Sequence, residues 1–334
     1  MRSTERRTTR TTRTLVGVLA GLSLVAAACG NDDSSEDTVG TDAPASTEAS
    51  AAPNAPAATD APGATDAAAD EADMADVPER VVSLSPTHTE IMFAIGAGDQ
   101  LVAVDEFSNY PPEALELPND LSGFEPNIEA IAGFEPDVVL IGGDFSGVGE
   151  QLAAIDIASW DGPAAATVDD TYAQITQLGE LTGHVDEADA LVASMQEDLE
   201  ALIASTPVPA EALSIYHELD PTYFSADSTT FIGEIYALFG LRNIADEAEG
   251  SGGAFPQLNA EFIVSTNPDM IFLADTKCCG ETVVTVSARD GWGDITAVQN
   301  GAVIEMDDDI ASRWGPRVVD YAAAVAAAVT TAAG

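Results

Sequence analysis

The stretch PNIEAIAGFEPDVVLI at residues 126–141 decides the fold, because residues 256–273, PQLNAEFIVSTNPDMIFL, repeat its pattern. In both copies a Glu stands seven residues before a Pro-Asp pair, and an apolar run follows that pair. A helical segment followed by a buried strand is typical of parallel α/β sheets. Two copies this far apart do not form a solenoid. The sequence therefore predicts two related α/β lobes.

The segments that flank each copy extend the same alternation. Residues 80–84 predict a strand, and a helix follows to a stop at Gly96, with Thr87 and Glu90 at capping-box spacing. The other predicted strands are Leu101–Val104, Asp137–Ile141 and Leu213–Tyr216, and the other predicted helices are Asn127–Phe134 and Phe231–Gly240. This order indicates a largely parallel sheet covered by helices in each lobe.

Residues 167–205 connect the two predicted lobes. Their first part has apolar residues at helical spacing, Gly183 interrupts the pattern, and a second amphipathic helix begins near Asp186. We expect one long helix to bridge lobe one, about residues 77–165, and lobe two, about residues 211–334. Such a bridge leaves a ligand cleft between the lobes.

The N-terminus has the pattern of an export signal. Five of the 11 basic side chains precede an apolar run, Leu15–Ala28, that is too short to span a bilayer comfortably. Three alanines then stand directly before Cys29, as in the cleavage box of bacterial lipoproteins. We expect residues 1–28 to be a signal peptide, Cys29 to carry lipid, and residues 29–76 to be a disordered tether. The alternatives are an ordinary secretory signal cleaved near Ala28 and an uncleaved anchor.

The charge of the chain is strongly one-sided. It has 57 acidic and 11 basic side chains, a net charge of −46 and a sequence pI near 4.1. Such a polyanion repels nucleic acid and anionic lipid surfaces, which argues against both as partners. Residues 77–334 hold 44 acids and six bases. Self-repulsion should weaken this fold unless salt screens it, so we expect a saline habitat.

Residues 80–317 resemble the substrate-binding proteins of iron-siderophore and cobalamin ABC importers. The matching phrases are Arg80–Gly96, Phe107–Glu113, the two Glu to Pro-Asp units and Ala311–Arg317. The resemblance implies two Rossmann-like α/β lobes with mainly parallel sheets, bridged by one long helix. It also implies a monomeric lipoprotein without catalytic activity or covalent cofactor, held by lipid on the outer face of the cell membrane. Such a protein captures a metal chelate and delivers it to an ABC permease dimer with its ATPase.

The same resemblance places particular residues in the cleft. The implied ligand-binding residues are Phe107, Phe124, Tyr223, Phe255, Asp309 and Arg313. Aromatic faces suit a large planar ligand, because each buries much area with few rotatable bonds. The alternative is that the aromatic side chains belong to the core or to lobe packing. For Arg313 the alternative is a surface ion pair, and for Asp309 it is a solvated place in an acidic run.

Glu129 and Glu261 correspond to the paired acids by which each lobe of such proteins contacts arginines of the permease. One acid per lobe at matched positions would give two-point docking on a two-fold symmetric permease. The alternative is that each Glu only makes the end of its helix soluble.

Two further pairs bear on metal chemistry. Cys278 and Cys279 are adjacent, and outside the membrane we expect them to form a vicinal disulfide. Two thiolates that bind a soft metal are the alternative, although no third ligand is evident nearby. His88 and His217 stand at the exits of two predicted strands and would be the ligands of a receptor for free metal or haem. Histidines in such places more often hydrogen-bond a turn.

The scarcity of bases bears on the ligand. Ferric triscatecholates are polyanions, and only Lys277 and Arg313 are placed to face the cleft, which argues against such a ligand. A near-neutral chelate, either cobalamin or a ferric hydroxamate, fits better, and the aromatic residues favour the corrinoid. A hydrolase-type enzyme is the remaining alternative. The sequence has no Gly-x-Ser-x-Gly elbow, phosphate-binding glycine loop or zinc-spaced His/Glu motif to support it.

Overall fold

The structure, a computed structural model, describes residues 77–248 and 253–333. The predicted signal peptide, the lipidation site Cys29 and the tether at residues 29–76 lie outside the described residues. Within the described ranges, none of the helices combines the length and the apolar character needed to cross a membrane.

Each lobe contains a four-stranded parallel sheet. In lobe one the strand order is β2-β1-β3-β4 and in lobe two it is β6-β5-β7-β8. The strands of lobe one are β1 (Val81–Ser83), β2 (Leu101–Val104), β3 (Val138–Ile141) and β4 (Ala158–Asp161), and its helices are α1 (Pro86–Ala94), α2 (Ile128–Ala132) and α3 (Val148–Ala153). Helices α4 (Val168–Thr182) and α5 (Val185–Ser205) lie between the lobes in sequence.

Lobe two has the same plan with additional helices. Its strands are β5 (Ser214–Glu218), β6 (Arg242–Asn243), β7 (Met270–Leu273) and β8 (Val303–Glu305). Its helices are α6 (Phe231–Leu238), α7 (Ala260–Thr266), α8 (Val283–Ser287), α9 (Thr296–Gln299), α10 (Asp308–Ser312) and α11 (Val318–Ala333). The matching strand orders confirm the prediction of two related parallel lobes.

The repeated Pro-Asp pair has the same structural task in both lobes. The carboxylate of Asp137 accepts hydrogen bonds from the backbone N–H groups of Glu79 and Arg80, each at 2.9 Å. Asp269 accepts from the backbone N–H and the hydroxyl of Ser214, at 2.8 and 2.7 Å. Each Asp therefore joins the start of its own strand to the start of the neighbouring central strand. This local requirement explains why the phrase occurs twice.

Apolar residues cover both faces of each sheet, as parallel sheets require. One buried cluster runs through both lobes and includes Ile91 of α1 and Phe272 of β7. A second cluster covers the other face of the first sheet around Val139, and a third covers the other face of the second sheet around Trp292. The two lobes thus share one core and each keeps a core of its own.

The connection between the lobes is a pair of helices. Helix α5, with 21 residues, is about 32 Å long at 1.5 Å per residue and packs against α11 of lobe two. Helix α4 also reaches both lobes. At its start the N–H of Val168 donates to Glu234 of α6 at 2.6 Å, and at its end the carbonyl of Thr182 accepts from Gln100 of lobe one at 3.0 Å.

The cap of α1 differs from the sequence prediction. Ser85, with extended backbone, is the N-cap, and its hydroxyl accepts from the N–H of His88 at 3.5 Å. Pro86 follows at the first helical position, which it favours. The expected capping box of Thr87 and Glu90 is wrong, because both residues lie inside the helix and are buried.

Candidate functional site

Exposed aromatic rings lie at the carboxyl ends of the strands of lobe one, where open α/β sheets bind ligands. Phe107 follows β2 and is 48% exposed, and Phe124 is 79% exposed. Their rings meet edge to face with the centroids 5.9 Å apart. The structure therefore brings these two candidate residues together, with about half of Phe107 and most of Phe124 exposed.

Phe145 was not among the predicted binding residues. It follows β3 and is 92% exposed, the highest value of any large apolar side chain in the described residues. Loops after parallel strands lie at the ligand-binding edge of the sheet, but no local sequence pattern distinguishes Phe145 from a loop residue that folds back onto the core.

The aromatic candidates of lobe two differ from each other. Phe255 is 48% exposed. Tyr223 is half-buried, and its ring stacks on Trp292 with the centroids 6.1 Å apart and the planes at 27°. Its backbone is left-handed, with φ of 71°, which is uncommon for a residue with a side chain. Tyr223 thus packs against the core of lobe two and remains partly exposed.

Arg313 is buried at the junction of the two lobes. One guanidinium nitrogen donates to Glu90 of α1 at 2.7 Å and to Asn109 at 2.9 Å. The other donates to the carbonyl of Phe107 at 3.0 Å and to Asp309 at 2.8 Å. Arg313 therefore connects α10 of lobe two to the loop of lobe one that carries Phe107. The other side of this connection, Glu90, was not predicted.

Arg317 strengthens the same junction. It donates to both oxygens of Glu90, from Nε at 2.8 Å and from Nη2 at 2.5 Å, and its guanidinium lies 4.2 Å from the centre of the Tyr110 ring. Glu90 thus receives hydrogen bonds from two arginines of lobe two. Because Glu90 lies 223 and 227 positions from its two arginine partners, no local pattern could identify this network.

Asp309 lies between Arg313 and Lys277. The ammonium of Lys277 donates to Asp307 at 2.6 Å and to Asp309 at 2.9 Å. Although burial alone would raise it, the hydrogen bond from Lys277 and the charge of Arg313 hold the pKa of Asp309 below its usual value. Asp309 is therefore an ion-paired member of the acidic run.

Every basic side chain in the described part of the chain has a partner. Five of the six form ion pairs: Arg242, Lys277, Arg289, Arg313 and Arg317. The sixth, Arg80, donates to the backbone carbonyls of Phe134 and Glu135. The two basic side chains expected at the cleft, Lys277 and Arg313, are therefore both engaged with carboxylates.

Cys278 and Cys279 are joined by a disulfide bond in an exposed loop after β7. The carboxylate of Asp308 holds this loop. It accepts from the backbone N–H groups of Thr276, Lys277 and Cys278, each at 2.8 Å. The disulfide loop is therefore fixed to α10, the helix that also carries Asp309.

The two candidate metal-binding histidines are fully buried and do not occupy matching positions. His88 lies inside α1, where Nε2 is 3.1 Å from Oε1 of Gln174, and burial lowers its pKa to about 4. His217 lies inside β5, where Nδ1 is 2.8 Å from the hydroxyl of Tyr236, and burial lowers its pKa to about 3. The described residues contain no group of three metal-ligating side chains.

Glu129 and Glu261 occupy equivalent places. Each is the second residue of a short helix, α2 and α7, and each is exposed. Both helices begin at an asparagine whose side chain caps them: Asn127 accepts from the N–H of Glu129 at 3.1 Å, and Asn259 from that of Phe262 at 2.9 Å. The lobes thus present two similar acidic helix starts.

Comparisons with known proteins add to this geometry. The chain matches the family described as periplasmic binding protein over residues 81–310. It is 31% identical over 266 residues to YvrC of Bacillus subtilis, an uncharacterized ABC transporter substrate-binding lipoprotein. This similarity covers 75% of this chain and 81% of that protein. It is 29% identical over 256 residues to a cobalamin-binding protein of Halobacterium salinarum, covering 75% and 69% of the two chains.

A solved structure is also similar to this chain. The periplasmic vitamin B12-binding protein BtuF of Vibrio cholerae is similar with a TM-score of 0.64 and 26% sequence identity. The similarity covers 77% of this chain and 98% of that one. The two-lobed architecture is therefore shared along nearly the whole length of that protein.

Proposed function

Because the chain belongs to the periplasmic binding protein family, whose members bind solutes for ABC importers, we propose that it captures a corrinoid and delivers it to a membrane permease with its ATPase. The composition of the cleft is the observation that supports a corrinoid as the ligand. The cleft offers aromatic rings from both lobes and no free cation among the described residues. Relatives named for cobalamin or vitamin B12 support the same ligand class.

The residues that we propose for ligand contact are the exposed rings. Phe107, Phe124 and Phe145 form the wall on lobe one, and Tyr223 and Phe255 form the wall on lobe two. Apolar faces of this kind exclude water from a broad ligand and contribute affinity through buried area.

Arg313 and Asp309 have a different place in this proposal. Both are engaged with each other and with side chains of the two lobes. They form the floor of the cleft, where the carbonyl and carboxylate groups that surround them can accept hydrogen bonds from amide side chains of a corrinoid. A near-neutral ligand with many amides suits such a floor, whereas a polyanion would find the nearby cations already paired with carboxylates.

Delivery requires attachment to the membrane and docking on the permease. The family relationship to a substrate-binding lipoprotein supports an anchor at Cys29, on the outer face of the cell membrane. We assign docking to Glu129 and Glu261, because they are exposed and equivalent in the two lobes. One monomer would then contact both halves of a two-fold symmetric permease.

Ligand titration monitored by tryptophan fluorescence tests the ligand class. We expect cyanocobalamin to bind, and haem, Zn²⁺ and a ferric triscatecholate to leave the signal unchanged. Ferrioxamine is the decisive competitor, since a hydroxamate chelate is also near neutral. Tight binding of ferrioxamine without binding of cyanocobalamin would replace the corrinoid by a siderophore. Phe124→Ala should weaken the binding of cyanocobalamin, whereas Val208→Ala, at an exposed position between α5 and β5, should not.

A further inference from the structure

A buried charge cluster lies at the carboxyl ends of the two central strands of lobe two. Glu218 ends β5, and Asp275 follows β7 by two residues. Both carboxyl groups are fully buried. Since β6 and β7 lie on opposite sides of β5, this place is the topological switch point of the sheet, where α/β folds bind ligands.

Arg289 covers this cluster and connects it to the cleft wall. Its two terminal nitrogens donate to the two oxygens of Glu218, each at 2.6 Å, and one of them also pairs with Glu281 at 3.0 Å. The guanidinium lies 4.6 Å from the ring centre of Trp292 and 5.5 Å from that of Tyr223. The ring of Tyr223 is thus contacted by the guanidinium of Arg289 and stacked on the indole of Trp292.

Lobe one builds the same sheet without any of these charges. By the register of the two sheets, Leu84 and Gly143 stand at the positions of Glu218 and Asp275. The fold therefore does not need a buried carboxyl pair at the switch point. Buried charges are expensive compared with apolar residues of similar volume. A buried carboxyl pair at these two positions occurs in lobe two alone, which points to a task in the cleft.

The protonation state of the Asp275 carboxyl group depends on the groups around it. Neither of its carboxyl oxygens accepts a hydrogen bond from a donor in the described residues. Burial first, and then the charge of Glu218 and a hydrogen bond to it, raise the pKa of Asp275 to about 8. Glu281 adds to this effect, while Arg289 opposes it. The carboxyl group is therefore protonated at neutral pH, which keeps Arg289 paired with Glu218.

We propose that Arg289, held by Glu218 and Glu281, is a positioning residue of the ligand site that fixes the Tyr223 ring as the lobe-two wall of the cleft. This inference rests on the proposed function, because it assigns a role to Tyr223 in binding the chelate. It assigns no ligand contact to Arg289 itself.

A double-mutant cycle tests the inference. Arg289→Lys keeps the charge but loses the two parallel hydrogen bonds and the flat guanidinium face. We expect it to weaken cyanocobalamin binding roughly tenfold at a temperature well below the Tm of the variant. In a Tyr223→Ala background the same substitution should change affinity by less than about twofold. An equal loss in both backgrounds would overturn the inference. Arg242→Lys, at an exposed ion pair of the same lobe, is the matched control.

Two readouts separate this inference from the proposed function. If the wild-type protein fails to bind cyanocobalamin, the proposed function fails, but near-ultraviolet circular dichroism of the unliganded protein still reports the stack of Tyr223 on Trp292. Arg289→Lys should change that signal, and an unchanged spectrum contradicts the inference.

The pH dependence of binding is the second readout. Asp275 faces Glu218 and Tyr216 of β5, Glu281 before α8 and Arg289 after it. Loss of its proton places a second charge beside Glu218 and draws Arg289 away from the stack. Affinity should therefore fall as the pH rises through about 8 in the wild type, and Asp275→Asn should remove this fall. The same fall in affinity in the Asp275→Asn variant would show that the Glu218–Asp275 pair does not act on the Tyr223 ring.

Discussion

Replacement of Glu90 by Gln should destabilise the protein by removing the carboxylate that joins the lobes. The side chain of Glu90 is 1% exposed and forms ion pairs with Arg313 and Arg317. Removing one partner from a buried ion pair costs about 3–5 kcal/mol. Arg313 keeps Asp309 and Asn109 as acceptors, so the main loss falls on Arg317. We therefore expect a value at the lower end, about 3 kcal/mol.

Thermal unfolding measures this effect directly. For a folded part of this size, about 3 kcal/mol corresponds to a fall in Tm of about 6–12 °C. Glu129→Gln removes the same charge from an exposed helix start and should change stability by less than about 0.5 kcal/mol. If both substitutions lower Tm equally, the junction does not hold the lobes together and its role in the cleft floor must be abandoned.

The remaining predictions concern charge, redox state and docking. Intact-mass spectrometry should show that Cys278 and Cys279 gain the mass of two hydrogens on reduction, and an unchanged mass would mean that the disulfide is absent. Because the folded pKa of Asp275 is raised, the wild type should lose stability as the pH rises from about 4 to about 8. The advantage of Asp275→Asn in urea unfolding should therefore grow with pH, and a constant difference between the two proteins contradicts this. The acidic excess predicts that Tm rises with NaCl concentration, whereas a Tm indifferent to salt would refute the expected adaptation. Reversal of both docking charges, Glu129→Lys with Glu261→Lys, should abolish uptake in cells at unchanged ligand affinity, and normal uptake would end that assignment.

The lobe architecture could be predicted because its signals are local. An apolar run after a Pro-Asp pair predicts a buried strand, and Asp137 and Asp269 then act on the backbone beside them. Because this sequence pattern occurs twice, the second lobe could be predicted as well. The exposed aromatic residues of the cleft could be proposed from the family resemblance, and the fold is consistent with it, since loops after parallel strands meet at one edge of a sheet.

The charge networks could not be predicted because their members are distant in sequence. Glu90 and Arg313 are 223 positions apart, and Glu90 also satisfies a local capping pattern that the structure does not use. In the same way, Glu218 follows an apolar strand like any solvated acid, and only its burial beneath Arg289 distinguishes it. His88 is the opposite case, in which the local sequence suggests a functional residue that the structure does not support. The sequence places it in a loop as a metal ligand, but α1 begins after its N-cap Ser85 and so includes and buries His88.

Equilibrium dialysis of the protein against cyanocobalamin tests the central claim most directly. The account predicts one bound corrinoid per chain with a Kd at or below about 1 µM, equivalent to about −8 kcal/mol. Binding should persist when a ferric triscatecholate is added in excess, because the described cleft offers no free cation to an anionic chelate. Absence of bound corrinoid, or its displacement by the triscatecholate, would contradict the account.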